Sequence, residues 1–396
     1  MAPNIPMTDA PFAEIERPAG SPEVTPVAPA QVDQHRRAVY LSYEAFLRQR
    51  LAVLDQERPQ QWGRDYSSVA AYRESVAPQR ARLKAMLGFW AEPGARGPLK
   101  RQPLRTRLET PEFQARWFQL EVLPGLATYG IEMIPRLAVP RPGLVLQHGY
   151  GGTPELVCGF TAEANAEDYS YRSLGIRAVR HGFHVVAIHH PSGYGTCAEV
   201  EGCIPGHEAD GQTYGKNRLH RLAIMGGGTL FGLDMLATSR AVDVLLQTPG
   251  ILPGRVGIYG LSQGGQTALF LPALDERIQA SVCSAYFNTR LLKLIGPHRA
   301  LCYLDSSEED KFFSRVVSHF SDSDLVSLIA PRAFAVEAGV RDSSVDFEKS
   351  QAEFARAKVH YEKLGRAEQT EFIPHAEGHV SATARAFGFL KEKLSA

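Results

Sequence analysis

Residues Gly257–Leu271 read GIYGLSQGGQTALFL. An apolar run ends in a serine boxed by glycines and passes at once into helix formers. With RVGIYG before Ser262 and QGGQTALFLPAL after it, the stretch is the strand, tight turn and helix that a nucleophile elbow requires. Gly260 and Gly264 lack side chains where the chain must fold sharply back, and the turn holds the serine hydroxyl clear of the backbone. Gly260-Leu261-Ser262-Gln263-Gly264 is the sole GxSxG in the sequence. A Gly-rich packing turn without chemistry is the bland alternative.

A serine hydroxyl is a weak nucleophile near neutral pH, so it needs a general base and a group that orients that base. Downstream, AFAVEAGVRDSSV is a buried strand followed by a loop whose first carboxylate is Asp342. FIPHAEGHVSATARAFGFL then sets His379 just before the last helix, read over 379–394. Ser, Asp, His is the chain order of α/β-hydrolases. Two acids compete with Asp342: Glu337 lies inside the strand, and Asp346 suits the first turn of a helix, where it complements the dipole. His375 competes with His379 and follows its strand at once. Asp342 and His379 are the preferred pair. Acyl chemistry also needs donors where the oxyanion forms. LVLQHGYGGTPE ends a strand in a Gly-rich turn, which nominates the backbone N–H of Tyr150 beside that of Gln263, the residue after the nucleophile. A phosphate loop is the alternative for HGYGG, but no GK[ST] follows.

Working outward, GLVLQHG, HVVAIHH, RVGIYG, IQASVCSAY, RAFAVEAG and TEFIP are apolar runs too continuous to be one-faced, as in strands buried on both faces. Helical segments near 171–181, 229–247, 263–274, 346–364 and 379–394 alternate with them. The alternation predicts a mostly parallel sheet with helices on both faces. FQARWFQLEV and TYGIEMI predict an antiparallel lead-in. Residues 1–30, rich in Pro and Ala, read as an extended or disordered arm with an oligomer contact as its one candidate role. Residues 31–95 read as a helical N-terminal region, with an amphipathic helix from Asp33 to about Gln56 and a second helix broken or kinked at Pro78 and stopped at Gly88. The catalytic domain is then 96–396. Its 191–228 stretch, longer than an ordinary connection, is a lid-like insertion over the site. Tyr150, Tyr194 and Tyr286 are candidate substrate contacts, with core packing as the alternative for each.

Composition narrows the partners. The 396 residues are 44 % apolar and 22 % charged, with 43 basic and 43 acidic side chains, so no basic stripe favours nucleic acid or an anionic membrane. The N-terminus has prolines and acids where a signal peptide needs a basic start and an apolar stretch, which leads to the expectation of a cytoplasmic location. Cys158, Cys197, Cys203, Cys283 and Cys302 are odd in number and lack CxxC spacing; only Cys197 and Cys203 are close enough in sequence to suggest a pair. His181, His184, His189 and His190 flank a strand without helical HExxH pairing, so packing or pocket lining is read there and no metal or cofactor is expected.

The order HGYGG, GLSQGG, GVRD, EGH resembles the α/β-hydrolase superfamily, and the SQGG elbow with HGYGG is similar to the acetyl xylan esterase and cephalosporin-C deacetylase group. The likeness covers about residues 100–394. It implies a Ser262, Asp342, His379 triad that removes acetyl groups from sugars and related alcohols, with Tyr150 and Gln263 as the oxyanion pair. Two departures bear on substrate: HPSGYGTC stands where the family has Arg-Gly-Gln, and Val380 follows His379 where it has Glu. The expected activity is therefore hydrolysis of a small-molecule carboxylic ester with a short acyl group. A C–C bond hydrolase, a peptidase or amidase on the same triad, and a hydrolase-fold receptor with little turnover are the alternatives.

Overall fold

The computed structural model describes residues 27–90, 97–138, 140–161, 170–191, 211–297, 302–306 and 308–395. The chain divides into two units, Met1–Arg50 and Leu51–Ala396. Helix α1 (Pro29–Glu57) holds the described residues of the first from Pro29 on, and none of its residues is buried. In the second, α2 (Val69–Leu87) starts at Ser68, whose hydroxyl accepts from the Ala71 N–H, and ends at Gly88 with φ 71°. It runs through Pro78 without a break, so of the break or kink expected there the break does not occur: Tyr72, Val76, Leu83 and Leu87 bury one face on both sides of the proline.

Nine strands follow: β1 (Arg101–Glu109), β2 (Phe113–Leu123), β3 (Leu126–Pro135), β4 (Arg141–Gln147), β5 (His184–Ile188), β6 (Ile251–Leu261), β7 (Ile278–Ser284), β8 (Ala333–Gly339) and β9 (Thr370–His375). They form one sheet in the order β1-β2-β3-β5-β4-β6-β7-β8-β9. The strands from β5 to β9 in that order pair in parallel, and β1, β2 and β3 are antiparallel. Between them lie α3 (Pro154–Cys158), α4 (Leu174–Arg180), α5 (Gly211–Met225), α6 (Leu230–Gln247), α7 (Gln263–Leu274), α8 (Arg290–Ile295), α9 (Val316–His319), α10 (Asp322–Ile329), α11 (Phe347–Lys363) and α12 (Ala384–Ser395).

The continuous apolar runs have a plain cause. Val145, Val186, Ile258 and Phe334 pack on the face covered by α2, α6, α7, α10 and α11. Their sequence neighbours Leu144, Val185, Tyr259 and Ala335 pack on the other face, under α4 and α12. Successive side chains point to opposite faces, so a strand covered on both sides has no polar positions to spare. No described helix is by itself long and apolar enough to cross a membrane.

Candidate active site

Ser262 sits between β6 and α7 with φ 60° and ψ −120°. A serine at positive φ is backbone strain of the kind held at functional turns. The strain is fixed from both sides: the Ser262 N–H extends the β6–β7 ladder to the Ser284 carbonyl at 2.9 Å, and the Ser262 carbonyl accepts the α7 bond from the Gln266 N–H at 2.9 Å. The glycines permit close approach. A β-carbon at Gly264 would fall 2.7 Å from the Gln147 carbonyl carbon and 2.9 Å from the His148 oxygen, and one at Gly260 would fall 2.9 Å from Gly264 Cα.

Strands β8 and β9 end beside one another, with Gly339 opposite His375. Asp342 lies three residues past the first and His379 four past the second. Two backbone bonds tie the two turns, Val340 N–H to His375 O and Arg341 N–H to Glu377 O, and a third closes the first turn on itself, Asp342 N–H to Gly339 O. His379 Nδ1 donates to the Asp342 carboxylate at 2.9 and 3.1 Å. The Asp342 side chain is 1 % exposed and that of His379 28 %. This fixes the proton on Nδ1 and leaves the Nε2 lone pair for a substrate-side proton. No hydrogen bond joins His379 to Ser262 among the described residues; such links commonly tighten only when substrate binds.

The two rival acids have other work. Glu337 is fully buried and accepts from Tyr259, Ser284, and the backbone and hydroxyl of Thr383. Asp346 caps α11 through the Lys349 N–H at 3.0 Å. Neither His375 ring nitrogen has a hydrogen-bond partner among the described residues, and burial pushes its pKa down. Residues 376–380 form the bend that carries His379, so the last helix begins at Ala384 and not at 379 as the sequence suggests.

β4 pairs with β6 so that Gln147 faces Gly260, which brings the HGYGG turn to the elbow. A β-carbon on Gly149 would lie 3.2 Å from Ser262 Cβ. The Gly149 N–H is taken by the Tyr171 hydroxyl. Gln263 is the first residue of α7, and a first-turn N–H has no acceptor within its own helix.

Among solved structures, a Bacteroides fragilis protein provisionally named an acetyl xylan esterase matches with a TM-score of 0.62 at 17 % identity, over 82 % of this chain and 80 % of that one. A glucuronoyl esterase from Solibacter usitatus matches at 0.61 and 14 %, over 84 % and 95 %. The chain has the α/β-hydrolase fold. A provisionally named hydrolase, YtaP, of Bacillus subtilis (strain 168) is 26 % identical over 263 residues, 64 % of this chain and 79 % of that protein. No protein-family model matches the chain.

The chain buries a lysine against its elbow that sequence reasoning missed. Lys216 on α5 is wholly buried. Its Nζ donates to Gln263 Oε1 at 2.8 Å, pairs with Asp310 at 2.9 Å and lies 5.0 Å from the Tyr150 ring centroid. Burial lowers its pKa, and the cations Lys311 and Lys216 hold the Asp310 carboxyl down at about 2 despite its burial. The segment reads only as a lid in sequence, and nothing local shows that its lysine points inward.

Most of the histidines near β5 pack or bond within the fold, while His189 stacks between Tyr129 and His148. His148 donates from Nδ1 to the Gly149 carbonyl at 2.8 Å and accepts the His190 N–H at Nε2 at 3.0 Å, which fixes a neutral ring; burial pushes its pKa down to about 3. His190 Nε2 bonds Thr238, His184 bonds Glu132, and His181 stacks on Phe387. Among the described residues no three His, Cys, Asp or Glu side chains converge as a metal site. Tyr286, 3 % exposed, belongs to the core with Phe287, and Lys293 lies over its ring. Tyr194, Cys197 and Cys203 fall outside the described residues, as does 192–210 of the lid-like insertion; its remainder contains α5. Cys158, Cys283 and Cys302 are buried free thiols.

Proposed function

We propose that this chain is a serine hydrolase that cleaves a carboxylic ester through an acyl-enzyme, with Ser262, His379 and Asp342 as its triad. The observation that carries the reading is the strained Ser262 elbow on the same sheet edge as a histidine already oriented by a buried carboxylate. Ser262 Oγ attacks the ester carbonyl carbon and passes its proton to His379 Nε2. The oxygen of the tetrahedral intermediate takes hydrogen bonds from the Tyr150 and Gln263 N–H groups. Its collapse breaks the bond to the alcohol oxygen, which leaves with the proton from His379. Water, deprotonated by the same nitrogen, then cleaves the acyl-enzyme to the acid and free serine.

The solved neighbours are esterases by name, which supports the ester bond over its C–C and amide alternatives. The test is hydrolysis of p-nitrophenyl acetate beside Ser262→Ala. Loss on the order of 10³-fold or more in a folded variant is expected, together with fluorophosphonate labelling of Ser262 in the parent protein. Residual turnover within tenfold of the parent would reject the mechanism.

A further inference from the structure

A cavity of about 750 Å³ opens at the C-terminal edge of the sheet, on the β3–β5 side of the elbow. That size lies within the range of small-molecule sites, and the carboxyl ends of the strands are where ligands bind in open α/β sheets. Its wall is hydrocarbon: Val122 and Leu126 from the β2–β3 hairpin, Leu222 from α5, and Leu230 and Leu233 from the start of α6. Five polar residues interrupt it: Gln119, Thr128, Tyr129, His189 and Asp234, of which Thr128 and Tyr129 already spend their hydroxyl protons on the His189 carbonyl and on Glu155. The Asp234 side chain, 2 % exposed, lines the cavity, and its Oδ2 has no hydrogen-bond partner among the described residues; its nearest basic atom is His190 Nδ1 at 3.9 Å. His189 Nδ1, also in the wall, is likewise without one. Burial pushes the Asp234 carboxyl well above its ordinary pKa. A protonated carboxyl there is an O–H donor.

The cavity is joined to the elbow through its walls. His189 stacks on His148 at 5.4 Å, and the next residue, Gly149, abuts Ser262. Helix α5 offers Leu219, Leu222 and Ala223 to the cavity while Lys216, one turn back, reaches Gln263. A sugar would find too few partners for all its hydroxyls on a wall that is mostly hydrocarbon, at a cost for each group left unpaired.

From this wall we infer that the cavity binds the leaving alcohol of the ester, a hydrocarbon-rich group of one or two rings carrying a second oxygen that accepts a hydrogen bond from Asp234. The assignment of the bound group as an alcohol rests on the serine-esterase reading; apolar binding itself does not.

The Ser262→Ala protein is titrated by calorimetry with 2-(6-methoxynaphthalen-2-yl)ethanol and its analogue lacking the methoxy group. Saturable one-site binding is expected, tighter for the methoxy compound, weakened at least tenfold by Ala127→Trp, which projects a ring into the cavity from β3. Leu222→Trp, on the exposed side of α5, is the second filling variant should Ala127→Trp fail to fold. Asp234→Leu should erase the difference between the two alcohols. In the Ser262-containing enzyme, kcat/KM for the methoxynaphthylethyl acetate should exceed that for ethyl acetate at least 30-fold, and the ratio should collapse in Ala127→Trp. Binding absent, or unchanged in both filling variants, overturns the inference, and ethyl acetate turnover in that case leaves the esterase reading standing. Saturable binding without turnover of any ester rejects the esterase reading and keeps the apolar site. A gain along methyl esters up to octanoate that Ala127→Trp abolishes would place the acyl chain in the cavity and overturn the alcohol assignment.

Discussion

Gly264→Ala tests whether the elbow works by close approach of backbone. The new methyl carbon would sit 2.7 Å from the Gln147 carbonyl carbon and 2.9 Å from the His148 oxygen, with the Gln147 oxygen nearer still. Non-bonded carbons rest at about 3.5–4.0 Å, so the end of β4 and the start of α7 must part by about 1 Å. Every atom met is backbone, so no side chain can turn aside. Overpacking of this kind costs about 1–3 kcal/mol. The catalytic effect is larger in proportion, because the displaced segments carry Tyr150 on one side and Ser262 and Gln263 on the other. A misplacement of about 1 Å costs on the order of 100-fold in rate. The assay is kcat/KM for p-nitrophenyl acetate beside a thermal melt, with Gly63→Ala as control, since a methyl there meets nothing within 4 Å. A Gly264→Ala enzyme with the parent's melting temperature and a rate within threefold would refute the reasoning.

Asp342→Asn should keep the fold and lower kcat by about 10³–10⁴, read by steady-state kinetics; a loss under tenfold would remove Asp342 from the triad. Lys216→Met should lower kcat about tenfold and cost about 1–3 kcal/mol by leaving Asp310 one cation short, with Lys311 still 3.1 Å away. Adding Asp310→Asn should restore stability to denaturant but not kcat, and Lys216→Arg should recover part of both; a double variant as active as the parent would show that Lys216 only fills space. Rates on p-nitrophenyl esters should fall from acetate to decanoate, and a maximum at octanoate or beyond would reject a short-acyl site. Burial holds His148 and His360 down at about 3, so each adds stability present above about 6.5 and lost as pH falls, by about 1.4 kcal/mol per unit. Asp322, pushed up to about 6 by burial, has the opposite sign between about 4 and 6 and offsets one of them, and Asp234, also pushed up by burial, is matched by His190, pushed well down. Urea unfolding from pH 6.5 to 4 should therefore lose at least about 1.4 kcal/mol per unit, and a flat profile would mean that these rings are not buried neutral.

Elements buried on both faces were legible in sequence because their apolar runs have no rival explanation, and every parallel strand read this way is present. The elbow was legible for a different reason: Gly, Ser and Gly at fixed offsets are demanded by local backbone geometry. Strand β1 was not read, since RQPLRTRLE is an edge strand exposed over nearly its whole length and has no buried face to impose alternation. Helix α10 was also missed. Its DSDLVSLI opens with Ser321 in a capping box with Asp324, a signal present in the sequence, but eight residues give little periodicity to support it. Lys216 and Asp234 could not be found at all. Each is a single residue in a helix, and what sets it apart is company brought from elsewhere: Gln263 and Asp310, 47 and 94 positions away, for Lys216, and the cavity wall with His190 for Asp234.

Glu337 shows how a buried acid beside the candidate site can serve the fold. It lies on β8 two residues before the strand ends, and its oxygens gather Tyr259 of β6, Ser284 of β7 and Thr383, which follows the His379 bend. Its acceptor sites are filled by these four donors, which leaves no lone pair suitably placed for an imidazole. Asp342, five residues on, accepts from the Ser344 N–H at 2.7 Å and from His379. The two acids divide one task. Glu337 ties β6, β7 and the chain after His379 to β8, which sets how far the histidine bend can stray from the serine elbow on the same sheet edge. Asp342 then has only to fix the orientation of a ring already delivered to it.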